Sequence, residues 1–397
     1  MEKKSIFSDL PNESKKILDD FDLLVQSVRP LSSKHFQQLP KDIRQLFHLL
    51  TDNRNHRYSG YMNENATLSA YVRYYQWWNL VRLTQLFAGL GSQAFHIPDE
   101  GICLDLGSGP LTVPIAMWLA CPELRYKRIH WYCVDSSQLA LSFGEDLFLA
   151  VVAKTVKITG KEVEPWRITR IKGEFGTKIR SVVNFVSCAN LFNELVQTSG
   201  KPPEYTAKRG ADALVAYTAN NGSLLVVEPG TPPSMRFLSA FRGAMLRKNW
   251  QIVSPCPHSG DCPMEGKRGG KWCHFSFSTE KTAVPAKLKK LSVDAGLPKE
   301  RASLSFILAQ SQKNRDPLYK NVSKKTDDTT DIDVRITSEA IALPNSRVGY
   351  YGCSKVGLVL IAKKDKNFSL DSGELISAKI PQQIFTDKKS GAILLEP

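Results

Sequence analysis

Residues Ile102-Cys-Leu-Asp105-Leu-Gly107-Ser-Gly109-Pro-Leu111-Thr112, continued by Val113-Pro-Ile-Ala-Met-Trp-Leu-Ala120, run from a short apolar segment through two glycines into a helical one. A short apolar run, a turn eased by glycine and a helix of nearly unbroken apolar character are the marks of a buried parallel strand and its crossover helix. Glycines at such a strand-to-helix turn let the backbone approach a ligand closely. Further apolar runs at 129–134, 166–172, 181–188 and 223–228 alternate with helical stretches. Five strands in βα alternation predict a Rossmann-like α/β domain.

The second of these runs ends in Asp135, 30 residues after Asp105. An acid in that place can accept both hydroxyls of a ribose, which separates a nucleoside site from a generic turn. Asp-x-Gly-x-Gly on a first strand, with an acid ending the second, is the usual arrangement of S-adenosylmethionine-dependent methyltransferases. Asp105, Gly107, Gly109 and Asp135 are therefore the candidate donor-binding residues. The bland reading is that the glycines only make the turn and Asp105 only orients it. A dinucleotide site is weaker still, because Gly-x-Gly-x-x-Gly is absent. Leu111 stands where many such loops carry a third glycine.

Two later strand ends extend the set. Val186-Ser-Cys-Ala-Asn190-Leu-Phe-Asn193-Glu194 falls at the fourth strand, where methyltransferases face their substrate, and adds Asn190. Asn193 and Glu194 can equally cap and pack the helix that follows. Glu228-Pro-Gly230-Thr-Pro-Pro falls at the fifth. Neither an Asn-Pro-Pro-Tyr motif nor a cysteine nucleophile motif is present, so no catalytic residue is assigned.

On either side of this domain the pattern changes. Residues 1–96 predict an N-terminal helical domain, with apolar positions three and four apart over 13–28, 41–51 and 66–88. Its segment Ala70-Tyr-Val-Arg73-Tyr-Tyr-Gln-Trp-Trp-Asn79 carries aromatics that suit packing against the next domain better than stacking on RNA bases. The methyltransferase-like domain runs over 97–310. A helix at 236–246 precedes a cysteine-rich loop at 254–274, and strands at 273–279 and 303–309, separated by a basic helix at 286–295, close a seven-stranded sheet. Residues 311–333 read as a polar linker and 334–397 as a small β domain with strands at 334–337, 348–351, 357–362 and 376–380.

The cysteine-rich loop reads Cys256-Pro-His258-x3-Cys262-x10-Cys273-His274, and Cys353 follows 80 residues after Cys273, in the predicted turn Tyr351-Gly-Cys-Ser-Lys355. Pro255, Pro257, Gly260, Pro263, Gly266, Gly269 and Gly270 build no regular element, so something else must organise the loop. Deprotonated sulfur at this spacing suits zinc or an iron-sulfur cluster. Zinc would draw on Cys256, Cys262, Cys273 and either His258 or His274, although no Cys-x2-Cys pair marks a common zinc finger. Cys103, Cys121, Cys133 and Cys188 sit in apolar contexts and read as core.

With 42% hydrophobic residues in 397, the chain is long and apolar enough for two or three domains. No run of about 18 apolar residues predicts a membrane span. The opening Met1-Glu-Lys-Lys-Ser-Ile-Phe resembles neither a secretory nor a transit segment, which predicts a bacterial, cytoplasmic protein whose thiols stay reduced. A net charge of +14 favours a polyanionic partner, RNA ahead of a membrane surface.

Taken together, these residues resemble the methyltransferase-like small-ribosomal-subunit assembly factor family, with mitochondrial and bacterial members. The resemblance is carried by Leu50-Thr51, Ala70-Tyr-Val-Arg-Tyr-Tyr75, Leu104-Asp-Leu-Gly-Ser-Gly-Pro110, Asn190-Leu-Phe-Asn-Glu-Leu195, Val227-Glu-Pro-Gly-Thr-Pro232, Trp272-Cys-His-Phe275 and Gly349-Tyr-Tyr-Gly-Cys353. It implies a class I methyltransferase sheet and a partner in the rRNA and proteins of the maturing small subunit. It also implies a [4Fe-4S] cluster on Cys256, Cys262, Cys273 and Cys353, which would staple the tail to the sheet. Lys267, Arg268, Lys271, Lys287, Lys289, Lys290 and Arg347 would then contact phosphates. The main rival is an active rRNA methyltransferase, with Asp105 and Asp135 holding the donor and Asn190 or Glu194 near the acceptor. A third reading is a zinc-stabilised RNA-binding module that binds no donor.

Overall fold

The computed structural model describes residues 4–52, 60–280, 284–311, 331–364 and 368–395. The chain divides into two compact units, one of Phe7–Leu191 with Ser278–Ala302, the other of Phe192–Phe277 and Ser303–Pro397 with Met1–Ile6. Among the described residues no helix is long and apolar enough to cross a membrane. The polar linker expected at 311–333 lies mostly outside the described residues.

A two-residue strand, β1 (Lys4–Ser5), comes first and belongs to the second unit. In the first unit, α1 (Asn12–Asp19) and α2 (Phe21–Val28) divide at Asp20 what the periodicity predicts as one helix. Helix α3 (Ser33–Leu50) starts eight residues earlier than expected, where the Ser32 hydroxyl accepts the His35 N–H. Then α4 (Asn65–Ala70), a π-helical stretch Tyr71–Gln76 and α5 (Trp77–Leu90) follow without interruption. Tyr74, Trp77 and Trp78 are fully buried, so packing is what the aromatics do. Trp77 Nε1 donates to the Leu18 carbonyl and Trp78 Nε1 to Ser292 Oγ.

Strands β2 (Ile102–Leu106), β3 (His130–Asp135), β4 (Arg167–Lys172) and β5 (Val183–Ala189) form the parallel core of this unit in the order β4-β3-β2-β5. Helices α6 (Thr112–Ala120) and α7 (Gln138–Thr159) are the crossovers. Every residue of α6 is buried, as its unbroken apolar run requires. Ser137 caps α7 by accepting the Ala140 N–H, and Gly160, at φ +67°, ends it in the left-handed region. Cys103, Cys121, Cys133 and Cys188 are buried core thiols, and burial lifts Cys121 to about 12. The returning helix Ala286–Asp294 and its following turn lean on the helical region, with Arg44 donating to the Ala295 carbonyl and Tyr74 to that of Leu297.

The second unit begins with α8 (Phe192–Ser199) and α9 (Pro203–Tyr217), then β6 (Thr218–Glu228), α10 (Pro232–Arg247) and β7 (Trp250–Ser254). Strand β7 corrects the expected closing pair. It is β7 that pairs antiparallel with β9 (Arg301–Ser311) on one side, while β6 pairs antiparallel on the other; β8 (Phe275–Ser278), expected as a closing strand, is a short side pairing on β9. The orders β4-β3-β2-β5 and β6-β9-β7, each within its unit, are those of a Rossmann-like class I methyltransferase sheet.

The tail is an antiparallel sheet of β10 (Asp331–Ile336), β11 (Ile341–Leu343), β12 (Arg347–Ser354), β13 (Gly357–Lys363) and β14 (Glu374–Lys379), closed by a parallel β15 (Ile393–Leu395) and by β1 on β14. Ile332, Val334, Ile336, Tyr350, Val359, Ile361 and Ile376 form its core. Cys353, predicted in a turn, lies instead within β12, opposite Arg335 on β10 and Leu358 on β13. The β12–β13 turn is tighter than the sequence suggests because Gly357, at φ +108°, takes the corner.

Candidate functional site

The glycine turn is built from within the first unit. Gly107 and Gly109 stand at φ +68° and +52°, and Leu111, also left-handed at +57°, is completely buried. Asp105 is locked beneath the turn: its carboxyl accepts Ser108 Oγ at 2.7 Å and Ser187 Oγ at 2.6 Å. Burial raises it to about 7 against the pull of those two hydroxyls. Asp135 accepts the Gly109 N–H at 2.9 Å and the Ser137 N–H at 2.8 Å, and burial raises it too. Both acids therefore support the turn. Each oxygen of Asp135 nonetheless accepts one amide and keeps a second lone pair for a ligand hydroxyl.

The neighbours of the turn were not legible in advance. Gln76, fully buried on the π-helical stretch, donates Nε2 to the Pro110 carbonyl at 2.7 Å, while its Oε1 has no hydrogen-bond partner among the described residues. A π-helical turn is an uncommon irregularity, often found at functional sites. On the other side Asn63 accepts the Ser137 hydroxyl, and the Met62 methyl would lie 3.7 Å from a Cβ on Gly109. Two left-handed glycines, an acid with spare lone pairs and an orphaned buried amide oxygen fit a small polar ligand such as a nucleoside. Asn190 also adopts a left-handed backbone, φ +59°, at the end of β5.

At the fourth strand's counterpart in the second unit, the first amides of α8 are taken up internally. Glu228, 1% exposed at the end of β6, accepts the N–H of Phe192 at 2.8 Å and of Asn193 at 3.0 Å. The backbone of Asn193 thus serves the helix start.

The second cluster lies wholly in the second unit. Cys256, Cys262 and Cys273 are half-buried on the loop and Cys353 is buried. Burial raises Cys256, Cys273 and Cys353, and neighbouring thiols push them further up. Two guanidiniums oppose this. Arg242, 3% exposed on α10, donates Nε to Cys256 Sγ at 3.2 Å and Nη2 to the His258 carbonyl at 2.7 Å. Arg335 donates to the carbonyls of Pro255, Gly373 and Lys4 and lowers Cys353 through space. His258 Nε2 stands 3.1 Å from Cys353 Sγ. His274 turns the other way, with Nδ1 on the Trp272 carbonyl and its ring stacked on that of Trp272. The loop is fastened by Trp272 Nε1 on the Gly230 carbonyl and by Ser305 Oγ on that of Cys273. Gly266 is required where it is, because a Cβ there would lie 2.5 Å from the Pro232 carbonyl.

Among the described residues no group of three or more His, Cys, Asp or Glu forms a ready-made metal-binding set. What the four cysteines offer is a donor set of soft sulfur only. Four thiolates around a doubly charged zinc ion or an equally charged cubane core would leave a dianion, and two buried arginines can balance it. Arg242 had a signal in the sequence, a cation on the stripe of Leu238, Phe241 and Met245. Arg335 had none, because strand alternation predicts it outward.

The candidate phosphate contacts fall in both units. Lys267, Lys287 and Lys290 face the carboxylates of Glu265, Asp22 and Asp294, and Lys271 lies over the Tyr351 ring at 4.2 Å. Arg268 is exposed, and Lys289 and Arg347 are half-buried.

No curated protein matches the sequence. Solved structures with some likeness include a precorrin-6y C5,15-methyltransferase from Geobacter metallireducens GS-15, with TM-score 0.33, 13% identity and 57% of this chain against 87% of that one. A SAM-dependent methyltransferase from Geobacter sulfurreducens, solved with S-adenosyl-L-homocysteine, gives 0.31 and 13% over 59% and 90%. A putative RNA methyltransferase from Pyrococcus horikoshii gives 0.29 and 10% over 62% and 85%. Scores this low decide nothing about ligand or reaction. The family match reaches further, over residues 96–340, from the first strand of the parallel core through the cysteine loop and into the tail sheet. That span exceeds half of the chain, and with the strand orders described above it makes this protein a methyltransferase-like member of the mitochondrial small ribosomal subunit Rsm22 family.

Proposed function

We propose that this chain is an assembly factor of the small ribosomal subunit that binds rRNA through its basic surfaces, with a [4Fe-4S] cluster on Cys256, Cys262, Cys273 and Cys353 as a structural or sensory clamp. The observation that carries the reading is that Cys256 on the loop and Cys353 on a distant strand are joined through the buried Arg242 and through His258. Family membership supports the choice of partner. The cluster would fix the loop to the tail sheet, which neither turn residues nor strand pairing does. The reading includes free thiols, hence a reducing compartment.

Asp105, Gly107, Gly109, Asp135 and Asn190 are the residues that would hold S-adenosylmethionine, with Gln76 beside them. When bound, that ligand supplies an electrophilic methyl group. Methyl transfer is not required by the reading, and the active rRNA methyltransferase, with Asn190 or Glu194 near the acceptor, remains its rival.

Co-sedimentation of Cys353→Ser with small subunits tests the clamp. Loss of binding by a variant whose far-ultraviolet dichroism is unchanged is the expected result. Wild-type binding by that variant would show that the clamp has no part in subunit association.

A further inference from the structure

Two side chains that are not among the four sulfur ligands touch two of those sulfurs. Arg242 reaches Cys256 Sγ with Nε at 3.2 Å, and His258 Nε2 stands 3.1 Å from Cys353 Sγ. The same guanidinium holds the His258 carbonyl at 2.7 Å, so one buried arginine both contacts the first cysteine of the loop and steadies the residue that contacts the last. His258 Nδ1 is buried without a partner among the described residues, which leaves Nε2 on sulfur as the ring's hydrogen bond.

We infer that Arg242 and His258 are positioning residues that raise the reduction potential of the cluster, an inference that rests on the cluster reading above. A reduced cluster carries one more electron, spread in part onto its thiolates. Donors aimed at those sulfurs, and a fixed positive charge beside them, therefore stabilise the reduced form more than the oxidised one. Arg242 is 3% exposed, so water screens this interaction little. Arg335 adds to the effect from a distance, its hydrogen bonds going to three backbone carbonyls and none to sulfur. In the zinc reading either His258 or His274 would be a ligand; here His258 is a donor to a ligand, which leaves the four-cysteine set complete.

The full chain is purified without oxygen as wild type, Arg242→Gln, Arg242→Lys and His258→Gln, and iron and acid-labile sulfide are counted first. A wild type lacking roughly four of each removes the cluster reading itself and this inference with it. With equal cluster content, a redox titration followed by visible absorbance and electron paramagnetic resonance decides. Arg242→Gln is expected to shift the ratio of reduced to oxidised cluster at least tenfold towards oxidised at a fixed potential, about 59 mV for one electron. Arg242→Lys, which keeps the charge but not the forked geometry, should fall between that variant and wild type. His258→Gln should shift the same way by less, and it decides the matter if Arg242→Gln does not fold. Unchanged or raised potentials in variants that carry a full cluster overturn the inference.

Discussion

Glu228→Gln should make the chain's stability less dependent on pH, because one buried carboxyl carries an unusual share of that dependence. Glu228 is 1% exposed, and burial raises it from 4.5 to about 8, even though the amides of Asn193 and Phe192 pull it down. Its folded pKa lies above its unfolded one, so the native chain binds this proton more tightly. The stabilisation is fully present below about pH 4.5 and is lost as pH rises through about 8. Inside that window the slope approaches roughly 1.4 kcal/mol per pH unit, or on the order of 5 kcal/mol in all. Glutamine keeps the shape but turns one acceptor into a donor facing an N–H, which costs about 1–3 kcal/mol at pH 5. The gap in favour of wild type should therefore fall by roughly 3–4 kcal/mol between pH 5 and pH 8 and change sign within that range. Urea midpoints by far-ultraviolet dichroism, taken at each pH unit from 5 to 8, give that gap directly. Asp105, raised to about 7, adds a slope of the same sign to both proteins and cancels in the difference. A wild-type lead that stays constant across the range, or grows with pH, would refute the reasoning.

Gly144→Ala should lower stability by about 1–3 kcal/mol by overpacking, since its Cβ would lie 2.5 Å from the Pro110 carbonyl carbon and 2.7 Å from Leu111 Cδ1; thermal unfolding at wild-type temperature would contradict this. Leu111→Gly trades relief of a left-handed backbone, about 1–2 kcal/mol, against the loss of a fully buried side chain, about 2–5 kcal/mol. The variant should be the less stable by about 2 kcal/mol, and a rise in stability would count against the packing described. Lys289→Glu with Lys290→Glu should weaken binding to small subunits and flatten its salt dependence by roughly 0.7–0.9 in log–log slope for each phosphate that is no longer neutralised. It also breaks the exposed Lys290–Asp294 pair, worth about 0.3–0.5 kcal/mol, so unchanged co-sedimentation would remove these two residues from the RNA surface.

What could be read in advance was whatever depends on local pattern. The strand over Ile102–Leu106 has the predicted bounds because both faces of a parallel strand are buried and the run is apolar throughout. Helix α6 and the core cysteines follow from the same rule. What could not be read depends on partners distant in sequence. Trp250–Ser254 alternates buried and exposed like any edge segment and becomes a strand only because β9 lies beside it. Cys353 reads as a turn residue from Gly352 and Ser354, yet pairing with β10 and β13 draws all three into β12. In the glycine turn Asp105, Gly107, Gly109 and Asp135 are found together as expected, whereas Gln76, Met62 and Asn63 arrive from a helical region that carries no motif for them. Around the cysteines, Arg335 was hidden because its strand buries a position that alternation exposes.

The measurement that bears most directly on this reading is metal content. Protein purified without oxygen should carry roughly four iron and four acid-labile sulfide per chain, as a cubane on Cys256, Cys262, Cys273 and Cys353 requires. One zinc per chain with no sulfide would contradict it and leave a zinc-stabilised RNA-binding module in its place.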